Sequence, residues 1–177
     1  MTKNFVAILA ACLALVGGVV WYSVSANQGH LLTLKGTVLK VRTLSFEPKA
    51  TIVIVDFRVT NPSSVPFSVQ DVALEMDPKA SDANPKGADG KTKPVLSRLL
   101  EKRELARLFE FEPKAGAKEH EAMGAGDSIG AGMTKEFMIS ARFELPQADV
   151  ESRAGLRILV HEIDRMVAEF AEVQTEH

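Results

Sequence analysis

TIVIVDFRVT (Thr51–Thr60) runs directly into NPSSVPFSVQDVAL (Asn61–Leu74), and this junction decides how the fold is read. In the first segment Val53, Val55, Phe57 and Val59 fall on one face, and Ile52, Ile54, Asp56 and Arg58 on the other, the twofold alternation of a strand. The second face turns from apolar to charged, which predicts a strand that leaves the core as it nears Asn61. Pro62 has no N–H to give a ladder and steers Asn61 away from helical angles, and Pro66 repeats the restriction. The chain therefore leaves one strand, makes a stiff corner and enters another. There Phe67 and Val69 alternate, then Val72, Leu74 and Met76 alternate in the opposite phase, so a β-bulge is expected at Gln70-Asp71.

Outward from this pair the same alternation recurs. Leu31 to Leu44 reads as a long, imperfect strand, with Gly36 as its expected bulge and "SFEP" as the turn that follows. Asp77 to Lys93 is polar and rich in turn formers, with "ADGK" the predicted hairpin tip, and Val95 to Ser97 resumes a strand. Leu105, Leu108 and Phe109 have helical spacing, which predicts a short helix over about Lys102 to Glu110. Met133 to Leu145 is a second clear strand, stopped by Pro146. At the carboxyl end Leu156, Leu159, Val160, Ile163, Val167 and Phe170 fit a helical period, yet the sheet still needs closing partners. A strand pair turning at "DR" is the reading adopted.

Phe5 to Val24 carries no charge over 20 residues, enough for a helix of about 30 Å, the thickness of a hydrocarbon core. Trp21 and Tyr22 stand where interfacial aromatics would, and Lys3 precedes the segment. A cleaved signal with processing after Ala26 is an alternative. A lipobox is formally present in "LAAC" (Leu9–Cys12), but the apolar run continues well past Cys12 where a polar tether is expected. The length of the run favours an uncleaved anchor, with Phe5, Leu9, Leu13, Val20, Trp21 and Tyr22 in contact with the membrane. Lys3 and the amino group favour an inside amino terminus, which puts the domain on the extracytoplasmic side. Lys35, Lys40 and Arg42 beyond the segment weaken that asymmetry. The organisation expected is residues 1–26 as membrane anchor or signal segment and 27–177 as one domain.

Apolar residues make up 46% of the chain, so a buried core is feasible. A net charge of −2 argues against a nucleic-acid surface, which requires a clustered basic excess. The lone Cys12 excludes an intrachain disulfide. The fold class expected is mainly β: an immunoglobulin- or fibronectin-like sandwich of about seven strands with one short helix, preceded by a transmembrane helix.

The order of these features resembles the late-embryogenesis-abundant group 2, or WHy (water stress and hypersensitive response), domain. The residues that carry the resemblance are VDFRVTNPSSVPFSVQDVALEMD (Val55–Asp77) and, more weakly, GAGMTKEFMISARFEL (Gly130–Leu145). The chain has Asn61-Pro62-Ser63 where the family usually has Asn-Pro-Asn, and Ala131-Gly132 where a Pro-Gly pair usually stands. The resemblance implies a β-sandwich and a protective role under water stress.

No catalytic constellation emerges. GAGDSIGAG (Gly124–Gly132) suggests a phosphate loop, but Ile129 occupies the position of the third glycine and no Lys-Ser or Lys-Thr follows. Turn glycines explain the run better. HEID places His161 and Glu162 on opposite faces of a strand, and KEHE (Lys118–Glu121) reads as a solvated loop. No nucleophile elbow occurs. The expectation is a non-enzymatic, membrane-anchored extracytoplasmic binding or stress-protective module with no cofactor and no metal. An envelope protein is the expected kind of partner, and nucleic acid is not. Contacts would fall on exposed strand edges or the cleft beside the helix, with Leu105, Leu108 and Phe109 as candidate anchors. An amphipathic helix normally buries its apolar stripe in its own core, however, and a helix plugging one open end of the sandwich is the preferred reading of these three. The alternative is a carrier of a lipid or other apolar ligand between the two sheets, supported only by Met133, Met138 and Met166 as lining for a loose interior.

Overall fold

The computed structural model describes residues 16–18, 34–80, 87, 92–162 and 167–172. The proposed anchor residues Phe5, Leu9, Leu13, Val20, Trp21 and Tyr22 lie outside the described residues, as do the "ADGK" tip and the "DR" turn. Among the described residues, no helix is long and apolar enough to cross a membrane.

Two sheets face each other. The strands are β1 (Lys35–Glu47), β2 (Ala50–Thr60), β3 (Phe67–Asp77), β4 (Val95–Leu96), β5 (Arg98–Leu99), β6 (Glu121–Ala122), β7 (Ser128–Ile129), β8 (Thr134–Phe143), β9 (Gly155–Glu162) and β10 (Val167–Ala171). The first sheet runs β1-β2-β8-β5, with β6 parallel to β8; the second runs β10-β9-β3-β4, with β7 also on β3. Six long strands carry the architecture and four two-residue strands extend it, so the sandwich is more fragmented than a plain seven-strand reading implies. Residues 16–18 are helical, and two further helices, α1 (Lys102–Phe111) and α2 (Gln147–Glu151), with a 3-10 turn at Pro113–Ala115, complete the described elements.

The alternation read from the sequence becomes the interface between the sheets. Val53, Val55, Phe57 and Val59 of β2 pack against Val72, Leu74 and Met76 of β3, and all belong to one fully buried cluster. Phe57 sits between Phe137 and Phe170, with ring centroids 6.4 and 6.3 Å away, and so ties both sheets at one point. The phase change in β3 is a register shift between Val69 and Asp71 against β9, which leaves Gln70 out of the ladder. The carboxyl end forms the antiparallel pair β9–β10.

Three local expectations are corrected. Gly36 is not a bulge: the register shifts of β1 fall between Val38 and Lys40 and between Ser45 and Glu47. Gly36 instead lies under Phe170, whose ring atoms are 2.3 Å from where a Cβ would sit, so glycine is there to let β10 close on β1. "SFEP" is still strand as far as Glu47, and the turn is Pro48-Lys49. Finally, β2 does not leave the core towards Asn61. Ile52 and Ile54 form a second cluster with Leu44 and Ala115, roofed by Leu100, Leu108 and Phe109, and Asp56 and Asn61 are buried as well. Only Arg58 on that face is exposed. The roof comes from Leu100 just before α1, from α1 itself and from the 3-10 turn, some fifty to sixty residues further along the chain.

The Asn61 corner is built around one side chain. Asn61 is fully buried. Its Nδ2 donates to the carbonyls of Val65 (2.8 Å) and Ile129 (2.9 Å), and its Oδ1 accepts from the Ser63 amide (3.0 Å) and hydroxyl (2.6 Å). Its backbone amide donates to the Met133 carbonyl at 2.9 Å. One asparagine therefore joins the exit of β2, the entry to β3 and the turn before β8.

Candidate functional site

Helix α1 begins in a capping box, in which Glu101 caps the first turn and Glu104 Oε2 accepts from the Glu101 amide at 3.0 Å. It lies across the outer face of the first sheet. Spacing of three and four residues puts Glu104, Arg107, Leu108 and Phe111 on the face towards β1. Between that face and the end of β1 is a half-open groove of about 400 Å³. Its apolar walls are Leu44, Phe46, Ile52, Leu100, Leu108 and Phe111, and charged groups from Arg98, Arg107, Arg142, Glu104 and Glu112 rim it. Phe111 is 74% and Phe46 55% exposed, a pair of large aromatics left open at its mouth. The Arg142 guanidinium stacks 5.2 Å from the Phe46 ring centroid, which fixes that side.

The acids of the rim are engaged. Glu104 caps the helix and stands 3.6 Å from Arg98, and Glu112 Oε1 accepts from the Lys114 amide at 3.2 Å. Arg142 is held by Glu144 (2.9 Å) and Glu47 (3.3 Å). Arg107 is exposed and has no hydrogen-bond or ion-pair partner among the described residues.

The three helix residues singled out from the sequence divide. Leu108 lines the groove. Leu105 is 1% exposed and faces a second cleft of about 240 Å³ with Val72, Met123 and Ile139. Phe109 is half-buried, packs on the second cluster and lies beneath the Arg42 guanidinium, 5.5 Å from its ring centroid. Phe111 and Phe46 were not singled out. Phe111 lies three residues past Leu108 on the same face, a spacing that flags it, whereas Phe46 falls within "SFEP", whose composition points to a turn.

A charged array lies beside the roof. Arg42 Nη2 donates to Asp56 Oδ2 at 2.7 Å, and its Nη1 donates to the carbonyls of Ala115 (2.7 Å) and Ala117 (2.9 Å). One guanidinium thus neutralises a buried carboxylate and pins the segment that follows α1. His120 stands between Glu136 (Nε2–Oε2, 3.1 Å) and Asp56 (Nδ1–Oδ1, 3.9 Å), and Arg58 holds the other oxygen of Glu136 at 2.6 Å. Lys40 bonds Glu119 at 2.6 Å and holds its carboxyl below the usual carboxylate range. The array is a clasp of ion pairs with no hydroxyl or thiol nucleophile in it.

The remaining motifs have structural uses. In Gly124–Asp127 the Gly124 amide, which a phosphate would need, donates to Asp127 Oδ2 at 2.8 Å, and Lys102 bonds both oxygens of the same carboxylate at 2.8 Å. Gly126 and Gly132 have positive φ, the turn role expected of them. His161 faces Asp71 at 3.7 Å, and Glu162 is buried on the opposite face. Among the described residues, no three His, Cys, Asp or Glu side chains cluster to hold a metal ion.

No protein-family profile matches the chain, and no curated protein matches it. Among solved structures it is similar to a Bordetella pertussis protein described as ApaA, at 12% identity over 80% of this chain and 89% of that one, with a TM-score of 0.33. It is also similar to the Iho670 flagellar-like filament, at 9% identity over 98% and 100% of the two chains, with a TM-score of 0.33. Similarity at this level assigns neither fold family nor activity, and the functional reading rests on the groove.

Proposed function

We propose that the protein is a non-enzymatic, membrane-tethered binding module of WHy-like type, displayed on the extracytoplasmic side, which works by surface contact rather than bond-making. The observation that carries this reading is the open groove under α1, with Phe46 and Phe111 exposed at its mouth. Aromatic residues, phenylalanine among them, and arginine are enriched at contact surfaces. The tether would join at the start of β1. The groove is formed by the other end of that strand, nine residues and about 30 Å further on, so a domain hung from its amino end keeps the groove clear of its own attachment. A protective role under water stress, and an envelope protein as partner, both fit a module of this build. Carriage of a lipid between the sheets is less supported, because the facing residues Val55, Phe57, Leu74, Ile158 and Val160 are at most 1% exposed.

The test is photo-crosslinking in cells with a phenylalanine analogue placed at Phe46, Phe111 or Leu96. Leu96 is 71% exposed and belongs to the second sheet. Discrete adducts at the first two positions and none at Leu96 are expected. Equal adducts at all three, or none at Phe46 and Phe111, would remove the groove as the contact site.

A further inference from the structure

We infer that the groove beneath α1 is a site for a single-chain anionic amphiphile, a free long-chain fatty acid, with its acyl chain along the apolar walls and its carboxylate on Arg107. This deepens the proposed function and rests on the groove being the contact site.

Three features select this ligand class. The first is size. The groove holds about 400 Å³, within the roughly 300–1,000 Å³ of small-ligand sites. Twelve residues line it, fewer than the roughly 20–30 per side of a stable protein interface, so the groove alone suits a small ligand and a protein partner would also need surface outside it. The second is wall chemistry. Leu44, Ile52, Leu100 and Leu108 present no donors or acceptors from their side chains. An extended peptide laid against them would leave its own N–H and C=O groups unpaired, whereas a methylene chain has none to satisfy. The third is charge. Glu104 and Glu112 are committed to backbone amides, and Arg142 is committed to Glu47 and Glu144. Arg107 is uncommitted among the described residues, and Arg98 is held only at 3.6 Å. A planar guanidinium at the rim of an apolar slot matches a carboxylate with two parallel hydrogen bonds. Phe46 and Phe111 would be covered by the bound chain. The lipid-carrier idea thus moves from the space between the sheets to the outer face of one of them.

The experiment uses the full chain in phosphatidylcholine nanodiscs with palmitate carrying a diazirine on its chain, and maps adducts by mass spectrometry. Adducts on peptides containing Phe46 and Phe111 are expected, displaced by unlabelled palmitate but poorly by hexadecanol. Arg107→Glu should lower the yield by about tenfold, the worth of one charge-assisted contact, and Arg107→Lys should retain part of it. Leu108→Trp fills the groove and should abolish labelling. If that variant misfolds, Phe111→Asp on the exposed surface serves instead. Adducts confined to residues 5–24, displacement by hexadecanol equal to that by palmitate, or indifference to Arg107→Glu would each overturn the inference. If palmitate fails while a photo-crosslinker at Phe111 still gives a discrete protein adduct, the fatty-acid inference falls and the contact-site reading stands. A crosslinked dimer at Phe111 would assign the groove to a second copy and overturn the ligand. Absence of both kinds of adduct removes both.

Discussion

Replacing Asn61 tests the corner on which the two-sheet arrangement turns. Its side chain makes four hydrogen bonds at 2.6–3.0 Å while fully buried. In Asn61→Ala the Val65 carbonyl keeps a donor, because the Ser63 hydroxyl also reaches it at 2.8 Å. The Ile129 carbonyl and the Ser63 amide lose theirs. A buried polar group left unpaired costs about 1–3 kcal/mol, so two cost roughly 2–6 kcal/mol, a large part of the ~5–15 kcal/mol usual for a domain. The corresponding fall in Tm is about 5–20 °C. Asn61→Asp separates hydrogen bonding from volume. It keeps the shape and the acceptor but aims an oxygen at two carbonyls and buries a charge, so it should destabilise at least as much as alanine. Urea titration of the full chain in detergent, followed by the far-ultraviolet β signal, measures both variants. A loss below ~0.5 kcal/mol in either, the size of an ordinary surface substitution, would show that the side chain does not hold the corner and would refute the reasoning.

Gly36→Ala should cost about 1–3 kcal/mol by overpacking, because its Cβ would meet the Phe170 ring at 2.3 Å. A double-mutant cycle with Phe170→Leu should show the cost largely relieved. Arg42→Leu strands the Asp56 carboxylate, whose side chain is 1% exposed, and should cost about 3–5 kcal/mol; Arg42→Leu/Asp56→Leu should be clearly less damaging than the sum of the single changes by the same titration. Glu119 has its carboxyl lowered by the bond and then the charge of Lys40. A depressed carboxylate adds stability above its unfolded value and loses it as pH falls through its folded one. The segment 116–121 should therefore loosen on acidification below the usual carboxylate range, an effect that Glu119→Gln removes and salt weakens, as read by amide hydrogen exchange.

Much of this fold could be read directly because the signals were local. Period-two alternation in Thr51–Thr60 and Met133–Leu145, the two prolines of the corner and the phase slip at Gln70 each act on neighbouring residues. The carboxyl end was harder. Leu156, Ile158 and Val160 face the core, but Leu159 on the outer face is only half-exposed, and its leucine supplied the false helical spacing. What stayed hidden was long-range. Nothing near Ile52, Ile54 and Asp56 announces that α1 and the 3-10 turn will cover their face, or that Arg42 will reach Asp56. The crossing from one sheet to the other between β4 and β5 takes a single residue, Ser97, whose hydroxyl bonds the Leu74 carbonyl at 2.6 Å. Pro146 announces the end of β8 but not helix α2 beyond it, which buries Val150. The site was half legible. Leu108 came from helical spacing, whereas Phe46 acquires meaning only once α1 lies beside β1.

The claim that an occupied groove faces the extracytoplasmic space is tested most directly by cysteine footprinting in intact cells. Phe46, Phe111 and Leu96 are changed singly to cysteine in a Cys12→Ser background and treated with a membrane-impermeant maleimide, before and after purification. The account predicts that Leu96→Cys reacts fully in intact cells, while Phe46→Cys and Phe111→Cys are protected there and become reactive once purified. Equal labelling of all three in cells would contradict occupancy of the groove, and labelling of Leu96→Cys only after lysis would contradict the extracytoplasmic placement.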